Sequence, residues 1–312
     1  MTFEEFIKEW HNEDDFIRVK TSGSTGTPKW IKLTKAFVKE SAERTNSFFN
    51  INSGSRLHSC VAADFIGGKM MAVRADISGA SFTCETPSNL PLKELKKEDT
   101  LDLLAVVPSQ MIKLLDEKED LPKINNIIVG GSSIHPALRV RIAESGFVAY
   151  ETYGMTETAS HIALRRIKRE ENPFELLPGI KIEYGQDNCL RIKFYNGIEV
   201  NTNDIVEIIS DTQFYVKGRK DNVIISGGKK LNPEELEKRI ANFINGEFYL
   251  KGEPDEKWGE RLVLVIEGKR EDFDEEIIKK RIKEELSSWE IPKEIKYQEK
   301  LTRTQNGKIK RP

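Results

Sequence analysis

Three short apolar runs, each set apart by a helix-like stretch, constrain this chain more than any other feature. Residues 101–107 (Leu-Asp-Leu-Leu-Ala-Val-Val) read as a buried strand, and Pro108-Ser109 opens a helix behind it. Residues 124–129 are a second run, followed by Pro136 at the start of a helix through about Ser145, and residues 147–150 are a third. Proline suits a first helical position because its missing N–H would be unpaired there anyway. Strands alternating with helices imply an α/β fold with a doubly wound, mostly parallel sheet. Ligands of such sheets gather at the carboxyl ends of the strands. Here the Gly130-Gly131 and Tyr153-Gly154 turns fall at those ends.

The flanks read differently. Thr2-x-x-Glu5 forms a capping box for a short helix carrying Phe3, Phe6, Ile7 and Trp10. Residues 16–19 read as a strand, and Thr34 as the N-cap of a helix through roughly Asn50. From about Gly179, residues 179–183, 188–195, 205–210 and 213–218 are short strands with turns between, which suggests a small antiparallel or barrel-like β subdomain. After Arg219 a compact α+β unit is expected, with a hairpin-like start and a helix opened by Asn232-Pro233. A strand at 261–267 and a helix to about Ser288 complete it, with the charged run 272–285 as a solvated helix face. The boundary falls at 219–221, dividing the chain into an N-terminal domain (1–218) and a C-terminal domain (219–312).

Lysine plus arginine number 49 against 51 acidic residues, so no nucleic-acid or anionic-membrane partner is expected. The N-terminus opens acidic and no long apolar run follows, so neither a signal peptide nor a membrane span is expected, and the chain reads as cytoplasmic. Cys60, Cys84 and Cys189 are scattered and form no CxxC. They fit reduced, buried thiols better than disulfides or a metal site. His11, His58, His135 and His161 lie far apart, against a His-based metal centre. A homodimer is one allowed assembly.

Residues 21–29 read Thr-Ser-Gly-Ser-Thr-Gly-Thr-Pro-Lys. Glycines let such a loop turn tightly and aim backbone N–H groups and hydroxyls at one anion, and Lys29 adds charge. The stretch lacks the spacer and the Gly-Lys-Ser/Thr ending of a Walker A loop. Taken alone it fits a flexible surface loop equally well. It has company, however: Tyr153-Gly154-Met155-Thr156-Glu157-Thr158, Asn203-Asp204, Gly218-Arg219-Lys220-Asp221 and Asn306-Gly307-Lys308 follow in order. In residue type, order and spacing these resemble the adenylate-forming superfamily of acyl- and aryl-CoA synthetases, adenylation domains and luciferases, over roughly 21–308.

The resemblance implies a two-step reaction with ATP, Mg2+ and coenzyme A. A carboxylate attacks the α-phosphorus to give an acyl-adenylate and pyrophosphate, and a thiol then displaces AMP. It implies phosphate contacts from Thr21, Ser22, Gly23, Ser24, Thr25, Gly26 and Lys29. Thr156 would bond the α-phosphate, Glu157 would hold Mg2+, and Lys308 would be the catalytic lysine. Gly130, Gly131, Ser132 and Tyr153 would line the adenine side, and Asp204 and Arg219 would hold the ribose. Asp221 matches the hinge of a mobile C-terminal domain, and Ser226, Gly227 and Gly228 match the stretch lining the pantetheine channel. Trp30 and Asn203 stand where the superfamily usually has glycine, and only 20 residues precede Thr21 where it usually carries a long segment.

Residues 64–74 fall where this superfamily builds its acyl pocket. With residues 156–163 they look most like the o-succinylbenzoate–CoA ligases of menaquinone biosynthesis, in which an arginine on this helix lies near the substrate. That resemblance puts Lys69, Arg74, Gly154, Met155 and His161 at the acyl pocket, with Arg74 facing the carboxylate that does not react. An arginine fork suits a carboxylate. Another aryl- or acyl-CoA ligase is the first alternative. A nucleotide-binding relative without activity is the second, and Lys308 and Glu157 argue against it, because binding alone needs neither.

Overall fold

A computed structural model describes residues 1–21, 29–88, 91–303 and 309–311. The chain forms two compact units. One comprises Met1–Ile134, Leu138–Lys181 and Phe194–Val200, and the other His135–Ala137, Ile182–Lys193 and Asn201–Pro312.

The first unit is built on the expected α/β pattern. Strands Arg56–Ser59, Ser81–Cys84, Leu103–Val106, Ile127–Val129 and Ala149–Met155 pair in parallel, with Ser81–Cys84 at the edge. The middle strands are buried along their whole length, Leu103–Val106 and Ile127–Val129 alike, as parallel strands covered on both faces must be. Helices Pro108–Asp116 and Pro136–Glu144 follow their strands where the prolines place them. Cys60, Leu104, Met111, Ile127, Leu138 and Ile142 share one apolar core.

The sheet departs from the sequence reading at its third strand. That strand does not stop before the Tyr153 motif. It runs through Met155, turns at Thr156–Thr158 and returns as Ser160–Arg166, antiparallel. Phe174–Leu176 adds a further antiparallel strand.

Helix Phe3–Trp10 has the capping box read from Thr2 and Glu5: the Glu5 N–H donates to Thr2 Oγ1 at 3.1 Å and the Thr2 N–H to Glu5 Oε2 at 2.7 Å. Helix Lys35–Phe49 starts at Thr34 and ends at Asn50, whose left-handed φ of 55° stops it.

In the second unit, strands Ile180–Tyr184, Cys189–Phe194, Glu199–Ser210 and Gln213–Arg219 follow one another in sheet order. The α+β portion begins with an antiparallel hairpin, Ile224–Ser226 against Lys229–Leu231. Helix Pro233–Ile240 follows, and strand Gly259–Glu267 pairs with Phe248–Asp255 on one side and, in parallel, with Glu294–Gln298 on the other. Helix Glu275–Glu285 buries only Ile278 and Ile282, leaving the charged face in water as its composition suggested. Among the described residues no helix is long and apolar enough to cross a membrane. The three cysteines are free, but Cys84 is exposed rather than buried, because it ends the edge strand.

Candidate active site

Of the residues expected at the acyl pocket and Mg2+, Arg74, Gly154, Met155, Glu157 and His161 lie in the first unit at or beside the turn between strands Ala149–Met155 and Ser160–Arg166. Two residues there, Ala159 (φ 51°) and Ser160 (φ 86°), hold left-handed backbone without being glycine. Such strain persists only where the surroundings fix it. Here they do. The Met155 N–H donates to Thr158 Oγ1 at 2.9 Å, the Thr158 hydroxyl donates to the Ser160 carbonyl at 2.6 Å, and the Ser41 hydroxyl donates to the Ala159 carbonyl at 2.7 Å.

Gly154 makes the crossing of the two strands feasible, because a Cβ there would overlap the Ser160 carbonyl and the His161 backbone. Backbone cannot move aside as a side chain can. Gly154→Ala is therefore expected to destabilise the protein by about 3 kcal/mol or more. Urea unfolding checks this: an unchanged midpoint would show that the hairpin has room after all.

Helix Lys35–Phe49 faces the turn with a polar stripe, Ser41, Thr45 and Asn46, all buried. Thr45 Oγ1 lies 2.9 Å from His161 Nε2, and Asn46 Nδ2 donates to the Arg74 carbonyl at 2.8 Å. The sequence reading passed over these residues. Their signal was there: polar side chains at positions i, i+4 and i+5, where a helix of this kind ordinarily presents core residues.

Arg74, on helix Ile66–Ser78, is 1% exposed. Its Nη2 donates to Ser160 Oγ at 3.4 Å and its Nη1 to Met71 Sδ at 3.6 Å, while the buried Nε has no partner among the described residues. No carboxylate pairs with it among the described residues. Burial alone pushes its pKa down to about 9. His161 beside it is held neutral, chiefly by burial and then by the Arg74 charge. The cluster is thus one buried cation next to a neutral imidazole.

Lys69 does not join it. Five residues earlier on the helix it points roughly 140° away. Its ammonium lies 4.1 Å from the Phe6 ring centre and 3.9 Å from Glu9 Oε2, beneath the N-terminal helix. Its expected place at the acyl pocket is corrected on that ground.

Thr156 is buried at the start of the turn, Met155 is half-buried and Glu157 is exposed. An exposed carboxylate without an ion-pair partner among the described residues suits a hydrated Mg2+, which takes one or two carboxylates. Tyr153 is half-buried, its ring 5.7 Å from that of Phe174. Gly130 carries no side chain for a local reason, since its Cβ would sit 2.6 Å from Thr152 Oγ1, and Gly131 has φ 92°. Ser132 follows, half-buried.

Beneath this turn lies a buried ionic network that the sequence did not disclose. Glu151 accepts from Arg139 Nη2 at 2.6 Å and from Arg165 Nε at 2.9 Å, and Arg165 also reaches Glu171 at 2.8 Å.

The phosphate loop is anchored by an antiparallel hairpin, Phe16–Lys20 against Trp30–Thr34. At its feet the Thr21 N–H donates to the Lys29 carbonyl at 2.9 Å and the Lys29 N–H to Thr21 Oγ1 at 3.0 Å. Trp30 turns its ring to solvent, 65% exposed, so its size does not load the loop. Ser22, Gly23, Ser24, Thr25 and Gly26 lie outside the described residues.

The second unit brings the ribose residues together. Asp204 and Arg219 are opposite one another on paired strands, and Arg219 Nη1 donates to Asp204 Oδ1 at 2.9 Å. Arg219 Nη2 donates to Asp221 Oδ2 at 2.9 Å, and Asn203 Nδ2 donates to Asp221 Oδ1 at 3.0 Å. Asn203, where glycine was expected, thus ties Asp221, the residue expected at the hinge. Ser226 is buried, and Gly227 (φ 57°) and Gly228 (φ 78°) form the two-residue hairpin turn that demands positive φ at both positions. Lys308 lies outside the described residues. The segment around it is closed by an Arg303↔Ile309 bridge and by the Lys310 N–H donating to the Thr302 carbonyl at 2.8 Å. Arg311 then grips half-buried Glu237 at 2.7 and 2.6 Å.

Residues 8–181 match the family model described as AMP-binding enzyme, and residues 247–308 match that of the AMP-binding enzyme C-terminal domain. A 2-succinylbenzoate–CoA ligase of Listeria monocytogenes is 27% identical, over 98% of this chain and 71% of its own. An acyl-CoA synthetase (AMP-forming)/AMP-acid ligase II-like protein of Dyadobacter fermentans is 34% identical, over 98% of this chain and 90% of its own, with a TM-score of 0.65. The o-succinylbenzoate CoA synthetase of Bacillus subtilis, solved with its acyl-adenylate intermediate, shares the fold. Its TM-score is 0.80, at 22% identity over 94% of this chain and 67% of that one.

Proposed function

The chain belongs to the AMP-binding enzyme family, as an adenylate-forming acid–CoA ligase, and on that premise we propose that its acid is 2-succinylbenzoate. One observation carries the choice: Arg74 is a buried guanidinium with no carboxylate partner among the described residues, set against the Ser160 turn. A buried charge is costly unless paired. An acid with two carboxylates offers one to ATP and the other to Arg74, whereas a monocarboxylate leaves the cation unmatched. The Listeria relative bears the name of a ligase for that acid. With that acid, the enzyme's expected place is menaquinone biosynthesis in the cytoplasm.

In the first half-reaction a carboxylate oxygen attacks the α-phosphorus of ATP, and the bond to the bridging oxygen of pyrophosphate breaks. Charge screening and in-line placement govern this step more than proton transfer does. Residues 21–29 hold the outer phosphates, Thr156 bonds the α-phosphate and Glu157 holds Mg2+, which neutralises phosphate charge when bound. Gly130, Gly131, Ser132 and Tyr153 face the base, and Asp204 with Arg219 takes the ribose hydroxyls. In the second half-reaction the coenzyme A thiol attacks the acyl carbon and AMP leaves, with Ser226, Gly227 and Gly228 along the thiol arm. Pyrophosphate exchange into ATP over a panel of carboxylic acids tests the reading. 2-Succinylbenzoate should support the fastest exchange. A monocarboxylic acid supporting faster exchange would overturn the substrate assignment and leave the ligase class standing.

The two half-reactions need different groups at one phosphorus and one carbon, and residues 219–312 are the body we assign to the change, swinging about Asp221. Its carboxylate, held by Arg219 and Asn203, is a latch that such a swing must release or keep. Asp221→Pro fixes φ at one value and should slow one half-reaction roughly tenfold more than the other. Equal rates in both, measured by pyrophosphate exchange and by thioester formation from supplied acyl-adenylate, would remove Asp221 from the hinge.

A further inference from the structure

A second cluster of chemically able side chains lies at the sheet edge, and the nucleotide chemistry makes no use of it. Strand Arg56–Ser59 runs parallel to the edge strand Ser81–Cys84, with His58 opposite Thr83 and Ser59 opposite Cys84. Side chains two apart along a strand share a face. His58 and Cys60 therefore point the same way, and so do Thr83 and Glu85. The His58 Nδ1 to Thr83 Oγ1 distance of 2.8 Å shows that the two faces coincide. One step further along the ladder, Cys60 meets Glu85. The ligating atoms of His58, Cys60 and Glu85 all lie within 4.8 Å of one another.

The surroundings hold these groups in place. His58 and Cys60 are 2% and 1% exposed. With Nδ1 taken up by Thr83, His58 Nε2 is buried and has no partner among the described residues. A hydrogen bond on one ring nitrogen fixes the tautomer and ring orientation and leaves the other nitrogen for a metal. Glu85 Oε1 accepts the N–H of Leu92 at 2.9 Å, and Leu92 holds a left-handed φ of 67° in doing so. Gln110 Nε2 donates to the Cys60 carbonyl at 2.9 Å and the Ser88 carbonyl at 3.2 Å, tying the two segments together. A thiol hydrogen bond from Cys60 to Glu85 accounts for two of the three groups but leaves the His58 nitrogen orphaned.

We propose that His58, Cys60 and Glu85 bind a zinc ion that fastens the edge strand and the turn after it to the core of the sheet. Thiolate, imidazole and carboxylate together select zinc over hard cations. Tetrahedral ligand atoms about zinc stand roughly 3.5 Å apart, so side-chain rotation of about an ångström closes the site. Binding forms the Cys60 S–Zn bond, and the thiol proton leaves to buffer. A water completes the shell. The histidines' separation in sequence concealed the site, because its third ligand comes from across a parallel register.

The test uses the tag-free full chain, stripped of metal with a chelator, in the absence of acid, ATP and coenzyme A, so it stands apart from the ligase reading. Zn2+ should bind one per chain, release one proton near neutral pH and raise the melting temperature. Co2+ should give a thiolate charge-transfer band in the near ultraviolet. That band should vanish in Cys60→Ser, survive in Cys84→Ser and Cys189→Ser, and need roughly 10–100-fold more metal in Glu85→Gln. No thiolate band in the unaltered protein overturns the proposal. So does a band that Cys60→Ser keeps or Cys84→Ser removes. Should Cys60→Ser fail to fold, Glu85→Gln decides: an unchanged metal affinity rejects the site.

Discussion

Replacing Lys308 by alanine should cut adenylate formation roughly 10²–10³-fold, the scale of losing one group that stabilises developing charge. Thioester formation from a supplied acyl-adenylate should stay close to normal. The asymmetry follows from where charge builds up. A carboxylate approaching a triphosphate brings like charges together, and a cation between them lowers that repulsion in the first half-reaction alone. Once the adenylate exists, the thiol attacks a carbonyl carbon and the pentacoordinate phosphorus is past. Single-turnover measurements of each half-reaction separate the two. Equal loss in both would indicate a folding defect and dismiss Lys308 as the lysine of the first step.

Arg74→Ala should raise the KM for 2-succinylbenzoate strongly, because losing one partner of a buried charge pair costs about 2–5 kcal/mol. The KM for ATP should move little, since Arg74 is assigned no contact with the nucleotide. Monocarboxylate analogues never used the pair and should lose less. The variant should fold, because Arg74 has no ion partner to orphan among the described residues. Steady-state kinetics with both kinds of acid, beside a melting curve, decides the matter. A uniform loss across mono- and dicarboxylates would sink the carboxylate-reading role. Lys69, packed under Phe6 and Glu9, serves as the control: Lys69→Met should leave the KM values for the acids unchanged.

The fold was legible wherever the chain obeys one period at a time. Buried parallel strands are apolar throughout, and Pro108, Pro136 and Pro233 mark helix starts that the structure places at those residues. The end of the third strand was not legible. In Tyr-Gly-Met-Thr-Glu the glycine and hydroxyls look like a loop, but Gly154 serves a close backbone crossing inside a continuous strand. Of the side chains gathered at the Ser160 turn, Arg74 was singled out from sequence and Thr45 was not. The role of Thr45 depends on His161, 116 residues away. Lys69 was misplaced because two cations on one segment were read without the helical angle between them.

The network of Glu151 with Arg139 and Arg165 has a consequence for how this protein can vary through descent. Loss of Glu151 alone strands the Arg139 guanidinium in the interior and leaves Arg165 with Glu171 as its carboxylate, and loss of either arginine leaves the Glu151 carboxylate undercompensated; breaking such a group one member at a time is severe, while replacing it whole with apolar residues is often harmless. The three positions therefore form a single unit of inheritance. Lineages should either retain all three or have exchanged all three, and the intermediates should be scarce. Coupling of this kind is measurable: the single variants Glu151→Leu, Arg139→Leu and Arg165→Leu should each destabilise the chain far more than the triple variant does, so that their effects fail to add.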